Sequence, residues 1–287
     1  MEKIPTQWKV IAASTAGSSH AAAGNACQDS FAYRVTADGI LIAAVADGAG
    51  SSRYAGEGAE LAARSAVEHL TSALESSKPG NSGECRSLLQ SCLLHARRCL
   101  EEQALVRGSR ANHTGDPGFE SFPGLDRASR LPAPPPGSGE ISLLDFSTTL
   151  LAVFVTDRHL AALQVGDGAI VYQQASGTLT VACEPDHGEY LNETQFITSI
   201  DLERHAHYRI AGGTDVSSLA MLSDGLETLA VVYRDNTAYG GFFNPLFDFV
   251  RRDDACEEEL RQFFLSGRVC ERSDDDKTLV LAIRTGA

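Results

Sequence analysis

The chain has 287 residues, a length that fits one large domain or two small ones. Its 24 basic and 38 acidic residues give a formal net charge of −14, and lysine and arginine do not cluster, so no nucleic-acid partner is expected. No apolar run approaches the roughly 18 residues of a membrane span. Seven scattered cysteines without a CxxC pair and a start without an apolar leader therefore predict a cytoplasmic protein with no membrane association.

The first part of the chain predicts three strands followed by two helices. Asp38-Gly39 supplies the positive φ angles of a tight turn between the second and third strands. Further along, apolar residues recur at helical spacing, and Cys85, Cys92 and Cys99 fall on one helix face as small buried thiols. The predicted strands are Val10–Ser14, Asp29–Val35 and Ile40–Ala46, and the predicted helices run from about Tyr54 to Ser76 and from Cys85 to Val106.

The periodic pattern ends in the segment 108–139. This segment is rich in Gly, Pro, Ser and Asn and includes the sequence PAPPPGSG. It can bury little apolar surface, so we predict a disordered surface insertion. A proline-rich docking segment for a regulatory partner is the alternative interpretation.

The second half of the chain predicts a run of strands, then two helices, then a last strand. FSTTLLAVFVTD, HLAALQVGD and AIVYQQ have the composition of three strands joined by tight turns. Further strands are predicted at Thr178–Cys183, Thr194–Ile200, Arg204–Ile210 and Ser218–Ser223, helices at Phe243–Arg252 and Cys256–Ser266, and the last strand at Thr278–Arg284.

This order of elements is not a regular βαβ alternation, which disfavours a doubly wound parallel sheet. It favours an α+β fold, a four-layer α-β-β-α sandwich with two antiparallel sheets inside and helix pairs outside. The first and last strands must meet for their aspartates to share a site, so residues 1–287 are predicted to form a single domain.

Five acidic motifs stand out along the chain, and most of them follow an apolar run. AAVAD, AALQVGD and LAMLSD each end a predicted buried strand at an aspartate. A carboxylate at such a position is costly to bury without a partner, and several that converge would repel one another unless a cation holds them. Oxygen ligands of this kind suit Mg²⁺ or Mn²⁺. The residues are Asp29, Asp47-Gly48, Gly166-Asp167, Asp224-Gly225 and Asp275-Asp276.

Two hard cations about 4 Å apart form a general site for phosphate-ester hydrolysis, because they lower the pKa of a shared water and neutralise phosphoryl oxygens. Other phosphate chemistries lack their motifs in this sequence. There is no GxSxG elbow, no HCxxxxxR loop and no GxxxxGK[ST] P-loop.

The motifs CQDSF, VADGAGS, FSTTL, QVGDGA, SDGL and DDDKTLVLA, in this order, resemble those of the PPM/PP2C family of metal-dependent Ser/Thr protein phosphatases. The likeness is closest to the bacterial branch. It runs from Val10 to Arg284 and leaves the insertion unmatched. The resemblance implies two packed antiparallel sheets flanked by helices, a pair of Mn²⁺ or Mg²⁺ ions, and phosphorylated proteins as substrates.

The resemblance also implies roles for individual residues. Asp47 would bridge the two metals, and the Gly48 carbonyl would bind the second one. Asp224 and Asp275 would complete the shell of the first metal, while Asp29 would bind directly or hold metal-bound water.

Further positions match residues around the family's centre. Asp167 would bind a third, weaker metal together with Asp224. Thr148 and Thr149 would support the centre through their hydroxyls, and Thr278 follows the final acidic pair at the family's spacing, with Asp276 in place of Asn.

Three positions depart from the family pattern. Gln28 replaces an acidic residue, so it offers the second metal an oxygen but no charge. Gly24 replaces an arginine that binds phosphate, and Ala49 replaces a histidine that the bacterial branch often lacks. We consider His20 and Arg53 as substitutes for the lost positive charge. A loop histidine bonded to backbone and a solvated arginine are the alternatives.

Two functions remain open at this point. The first is a metal-dependent phosphatase that hydrolyses phosphoserine and phosphothreonine through a water activated by two Mn or Mg ions. The alternative is a catalytically weak or inactive pseudophosphatase, a metal-binding regulatory or scaffolding module, which the departures at Gln28 and Gly24 would suit.

Overall fold

The structure, a computed structural model, describes residues 7–113, 140–183, 194–232 and 235–285. Within these ranges the chain forms strands β1 (Gln7–Thr15), β2 (Asp29–Val35), β3 (Leu41–Asp47), β4 (Leu150–Val155), β5 (His159–Val165), β6 (Ala169–Gln174), β7 (Leu179–Val181), β8 (His207–Gly212), β9 (Val216–Leu222), β10 (Val231–Val232), β11 (Thr237–Ala238) and β12 (Lys277–Thr285). The α-helices are α1 (Ser18–Ala22), α2 (Ala55–Ser76), α3 (Ser82–His113), α4 (Glu227–Ala230), α5 (Gly240–Arg251), α6 (Glu257–Phe264) and α7 (Gly267–Cys270).

The strands form two five-stranded antiparallel sheets. The first sheet has the order β1-β12-β9-β6-β7 and the second has the order β2-β3-β4-β5-β8. In the first sheet β12 pairs with β1 along its whole length, so segments from the two ends of the described chain are neighbours. The short strands β10 and β11 form a separate ribbon.

The core is divided into three apolar layers because both sheets are covered on both faces. In β3, Leu41, Ala43 and Val45 lie between the sheets, whereas Ile42 and Ala44 face the helices. Burial on both faces explains why this strand is apolar without interruption, although its side chains alternate with period two.

The outer layers are helical. Helices α2 and α3 cover the second sheet, with Leu70 and Leu89 in their shared core. Phe243 of α5 and Phe264 of α6 lie in the core that covers the first sheet. The predicted α-β-β-α sandwich with two antiparallel sheets is therefore confirmed.

Two elements have different boundaries from those predicted from the sequence: helix α3, which precedes the insertion, and strand β4. Helix α3 continues to His113, so residues 108–113 are helical rather than part of an insertion. The remainder, 114–139, lies outside the described residues, as does any docking segment there. The sequence predicts that Phe146 begins a strand, but it is the last residue of a 3-10 turn, Leu143–Phe146. The regular strand begins only at Leu150.

The predicted strand Thr194–Ile200 is wrong. The segment turns instead, because the Arg97 guanidinium binds the carbonyl oxygens of Ile197 and Ser199 at 3.1 and 2.5 Å, and these oxygens are then not free for a ladder. Ile197 is buried, but Ile200 is almost fully exposed. The next strand begins at His207 rather than Arg204, after a 3-10 turn at Leu202–Arg204.

All seven cysteines lie in the described part of the chain and are free thiols, and Cys99, predicted to be buried, is only half-buried. Cys85 and Cys92 are buried in the α2–α3 core. Among the helices in these ranges, none combines the length and the apolar character that crossing a bilayer requires.

Candidate metal centre

Two aspartates meet at the open end of the β2–β3 hairpin. Asp29 begins β2, Asp47 ends β3, and the antiparallel register places them directly opposite each other. Like charges in this position repel. The fold therefore holds two carboxylates together at the end of a strand pair whose remaining length is mostly apolar.

Two threonines fix the backbone at Asp47. The Asp47 N–H donates to Thr149 Oγ1 at 2.9 Å, and Thr148 Oγ1 donates to the Asp47 carbonyl at 2.8 Å. Gly48 follows in a close passage, where a Cβ would lie 2.5 Å from the Ala55 backbone and 2.9 Å from the Gln28 carbonyl oxygen. The sequence VADG thus requires Gly at this position for steric reasons.

The first sheet brings two further aspartates to the same place. Leu222, at the end of β9, pairs with Leu279 of β12. The residues just after β9 and just before β12 therefore lie side by side, and they include Asp224 and Asp275. A Cβ on Gly225 would overlap the Asp276 carbonyl oxygen, so the two segments touch at this point.

A serine joins the two sheets at the site. Ser223 Oγ donates to Asp29 Oδ2 at 2.7 Å and accepts the Thr278 N–H at 3.0 Å. Thr278 Oγ1 also contacts Ser14 Oγ of β1. Through these bonds the β2–β3 hairpin is held against the ends of β9 and β12.

The aspartates surround a cleft of about 290 Å³. Asp29 and Gln28 lie next to this cleft rather than in its lining. The lining residues are Ser19, His20, Asp47, Gly48, Ala49, Gly50, Thr149, Asp167, Thr194, Phe196, Asp224 and Asp275. Asp167 is oriented by Thr194, whose Oγ1 donates to Asp167 Oδ2 at 2.7 Å.

The carboxylates raise one another's pKa values. Burial, and then the charges of Asp29 and Asp224, raise the pKa of Asp47 well above its usual value. Burial raises the pKa of Asp29 to about 7, against hydrogen bonds from Ser223 and Thr278 that lower it. Burial and the charge of Asp167 raise the pKa of Asp224 to about 6. The site is therefore poor in positive charge, which is the condition that a bound cation would relieve.

The oxygen atoms around the cleft are of the kind that bind a hard divalent cation. Buried side-chain oxygens without a hydrogen-bond donor among the described residues include Gln28 Oε1, Asp29 Oδ1 and Asp224 Oδ1. Buried polar atoms are rarely left without a partner. Carboxylate and amide oxygens of this kind are ligands that Mg²⁺ and Mn²⁺ accept.

Asp276 organises the site in a way that the sequence analysis missed. Its side chain is only 3% exposed, and it accepts the Gly17 N–H at 2.7 Å and the Gln28 N–H at 2.6 Å. It thus joins the loop before β2 to the segment before β12. In the sequence, the only sign that this position is unusual is that Asp replaces the Asn of the family pattern. That replacement does not indicate Gly17 and Gln28 as partners.

The structure separates the two candidate phosphate-binding residues. His20 lines the cleft, and its Nδ1 lies 2.9 Å from Asp276 Oδ1. His20, Asp275 and Asp276 each offer one atom that could bind a metal, and these three atoms lie within 4.8 Å of one another. Arg53 is not in the lining; its guanidinium lies 3.9 Å from Asp145. Arg53 is therefore not placed to supply the lost positive charge.

Comparison with known proteins agrees with this geometry. The Protein phosphatase 2C family model matches residues 16–265. The chain is 30% identical over 285 residues to Serine/threonine-protein phosphatase 3 of Escherichia coli (strain K12), covering 96% of this chain and 98% of that protein.

Solved structures show the same fold at lower identity. Serine/threonine phosphatase Stp1 from Staphylococcus aureus superposes with a TM-score of 0.58 at 12% identity, over 100% of this chain and 98% of that one. The Mycobacterium tuberculosis serine/threonine phosphatase PstP/Ppp gives 0.56 at 16% identity, over 96% and 98%. From the family match, the relative and the shared fold, we conclude that this chain belongs to the PP2C family of serine/threonine protein phosphatases.

Proposed function

We propose that the chain hydrolyses phosphoserine and phosphothreonine in proteins with a water activated by two Mn²⁺ or Mg²⁺ ions. The convergence of Asp29, Asp47, Asp224 and Asp275 from four strand ends carries this proposal. Three of these line one cleft, and the fourth lies opposite Asp47. Carboxylates with raised pKa values in a cleft are typical of a functional site.

Each donor has a proposed place. Asp47 would bridge the two ions and the Gly48 carbonyl would bind the second, with the Gln28 amide oxygen beside it. Asp224 and Asp275 would hold the first ion, and Asp29 would hold water or bind directly. Asp167, which lies close enough to raise the pKa of Asp224, would share a third, weaker ion with it.

Ions bound here would lower the pKa of water and neutralise phosphoryl oxygens. The chain's own residues supply the remaining functions. Thr148 and Thr149 fix the Asp47 backbone and so the point from which its carboxylate projects. His20, whose Nδ1 lies 2.9 Å from Asp276 Oδ1, lies in the cleft lining and is the proposed donor to the substrate phosphate.

The phosphatase proposal is favoured over an inactive module. Gln28 and the absent arginine motivated that alternative, but the relatives give it no support and His20 occupies the cleft. The free thiols suit a cytoplasmic setting, which we retain as part of the proposal. No observation among the described residues supports a regulatory partner at 108–139, so none is proposed.

Hydrolysis of p-nitrophenyl phosphate and of a phosphothreonine peptide with added Mn²⁺ tests the proposal. We expect Asp47→Asn to lower kcat/KM by about 100-fold or more, the order that loss of one electrostatic contact to a transition state costs. Asp253→Asn, at an exposed position, is the matched control and should retain activity. Turnover that survives both a chelator and Asp47→Asn would contradict the mechanism.

A further inference from the structure

Some residues that line a second cavity are close in sequence to residues of the candidate metal centre. The cavity has a volume of about 520 Å³ and is formed by α4, the β10–β11 ribbon, α5, α6 and α7. We call it the α5 groove and define it by Leu229, Tyr239, Phe242, Leu246, Arg268 and Arg272, which are all among its lining residues.

The floor of the α5 groove is apolar and its wall is partly exposed. Phe242 and Leu246 are each 8% exposed and belong to the core under the first sheet. Tyr239 is 50% exposed and Val232 is 40% exposed. Large apolar side chains that stay accessible beside a concave surface are typical of a binding site.

One backbone group in the groove lacks its helical partner. Pro245 lies inside α5 and has no N–H, so the Gly241 carbonyl cannot receive the usual bond from the residue four positions on. Gly241 lines the groove.

The charged residues of the α5 groove are of one sign. Arg268 and Arg272 are exposed, and no ion pair joins either of them to an acidic group in the described part of the chain. None of the described residues that line the groove is acidic. In a chain with a net charge of −14, this local surplus of positive charge selects an acidic ligand.

Chain connectivity keeps the groove close to the metal centre. Arg272 precedes Asp275 by three residues, which limits the distance between their Cα atoms to about 11 Å. Thr228, also in the lining, follows Asp224 by four residues of helical backbone, or about 6 Å. A peptide of three to five extended residues covers such distances.

We propose that the α5 groove binds the segment of a phosphoprotein substrate that flanks the phosphorylated residue, and that it selects acidic and apolar side chains in that segment. The inference rests on the proposed phosphatase function. Apolar side chains would pack on Phe242 and Leu246, and carboxylates would pair with Arg268 and Arg272.

The test compares two phosphothreonine peptides that differ only in their flanks. One carries two acidic and two apolar residues beginning three positions from the phosphothreonine, in separate versions on its N-terminal or C-terminal side. The other carries lysine and serine there. We expect one acidic–apolar version to be dephosphorylated with a kcat/KM higher by about tenfold or more, mostly through KM.

Arg268→Glu/Arg272→Glu should abolish this preference and leave p-nitrophenyl phosphate turnover unchanged, because neither arginine lines the metal cleft. Tyr239→Ala should weaken the preference in the same direction. The charge-matched control Arg34→Glu/Arg204→Glu changes exposed arginines of the other sheet and its flanking turn and should retain it. Thermal unfolding of each variant checks that it folds.

Binding of the unphosphorylated acidic–apolar peptide, followed by fluorescence anisotropy without metal, separates this inference from the proposed function. Binding that the Arg268→Glu/Arg272→Glu variant loses supports the groove even if turnover fails. An unchanged affinity in that variant, or equal rates on both peptides beside normal p-nitrophenyl phosphate turnover, overturns the groove and leaves the phosphatase proposal intact.

Discussion

Asp29 and Asp47 lie directly opposite each other where β2 begins and β3 ends, so the fold holds two mutually repelling carboxylates together at the candidate metal centre. Ser223 offsets part of this cost by donating to Asp29. In the metal-free protein burial, and then the charges of Asp276 and Asp224, still raise the pKa of Asp29 to about 7. We therefore expect the stability of the protein to respond to pH differently with and without a bound metal.

The metal-free protein should lose stability as pH rises. The folded-state pKa values of Asp29 and Asp224, about 7 and about 6, exceed the ordinary value of 3.8, so the native state binds more protons than the unfolded state between about pH 4 and pH 7. The free energy of unfolding therefore falls with rising pH across this window. We expect the melting temperature to drop by about 4 °C or more from pH 5 to pH 8 in chelator.

The control for this experiment is Asp47→Asn, which removes a carboxyl whose own pKa is raised by burial and by the charges of Asp29 and Asp224. This variant should show a smaller drop over the same pH range. A melting temperature in chelator that rises from pH 5 to pH 8 would contradict the charge arrangement described above.

Mn²⁺ should stabilise the native protein at pH 8. An ion present at 100 times its dissociation constant adds about 2.7 kcal/mol to the free energy of unfolding. Asp47→Asn should remove most of this gain, whereas Asp253→Asn, which is exposed and outside the cleft, should retain it. Differential scanning calorimetry with and without Mn²⁺ measures the effect, and equal gains in both variants would refute the assignment of Asp47.

Asp276→Ala should destabilise the protein. The substitution leaves the N–H groups of Gly17 and Gln28 without their acceptor, one of them in a buried bond. We expect a loss of about 2–4 kcal/mol in urea unfolding, since an unsatisfied buried donor costs about 1–3 kcal/mol. Asp276→Asn keeps one acceptor oxygen and should lose less, so equal losses in the two variants would argue against the hydrogen-bonding role.

His20→Ala should weaken phosphate binding. If His20 replaces the family arginine, the variant should raise KM for p-nitrophenyl phosphate by about tenfold, which corresponds to about 1.4 kcal/mol. Inhibition by inorganic phosphate should weaken in parallel. Arg53→Ala should change neither quantity by more than about twofold, because Arg53 lies against Asp145 outside the cleft lining. The reverse ranking of the two variants would restore Arg53 as the phosphate ligand.

Gly225→Ala should disrupt the contact between the two strand ends. A Cβ there would overlap the Asp276 carbonyl oxygen, which is backbone and cannot move independently. We expect a loss of about 3 kcal/mol or more in the free energy of unfolding. Gly267→Ala, where a Cβ would meet nothing within 4 Å, should change it by less than about 1 kcal/mol.

Much of the architecture follows from patterns that a single strand or helix carries by itself. The apolar run before Asp47 and the helical spacing in α2 each reflect burial of that element, and both predictions were confirmed. The convergence of aspartates could be anticipated because strand ends meet at sheet edges. Their metal ligation stays a prediction.

Other features depend on partners that are distant in sequence. Residues 194–200 have strand-like composition, yet Arg97 of α3 binds their carbonyls and turns them away from a sheet. Asp276 resembles a charged turn residue until Gly17 and Gln28 are brought beside it. The sequence predicts a loop around both His20 and Arg53, but His20 lies in α1 and faces Asp276, whereas Arg53 lies in a turn near Asp145.

The pairing of β1 with β12 sets an order of events during synthesis. Gly17 and Asp276, which are hydrogen-bonded in the native state, are separated by 259 positions, so a ribosome translates nearly the whole catalytic region between them. A partly made chain that lacks β12 also lacks the partners that close the candidate metal centre. If the proposed function is correct, we expect the nascent polypeptide to be inactive until translation has passed β12.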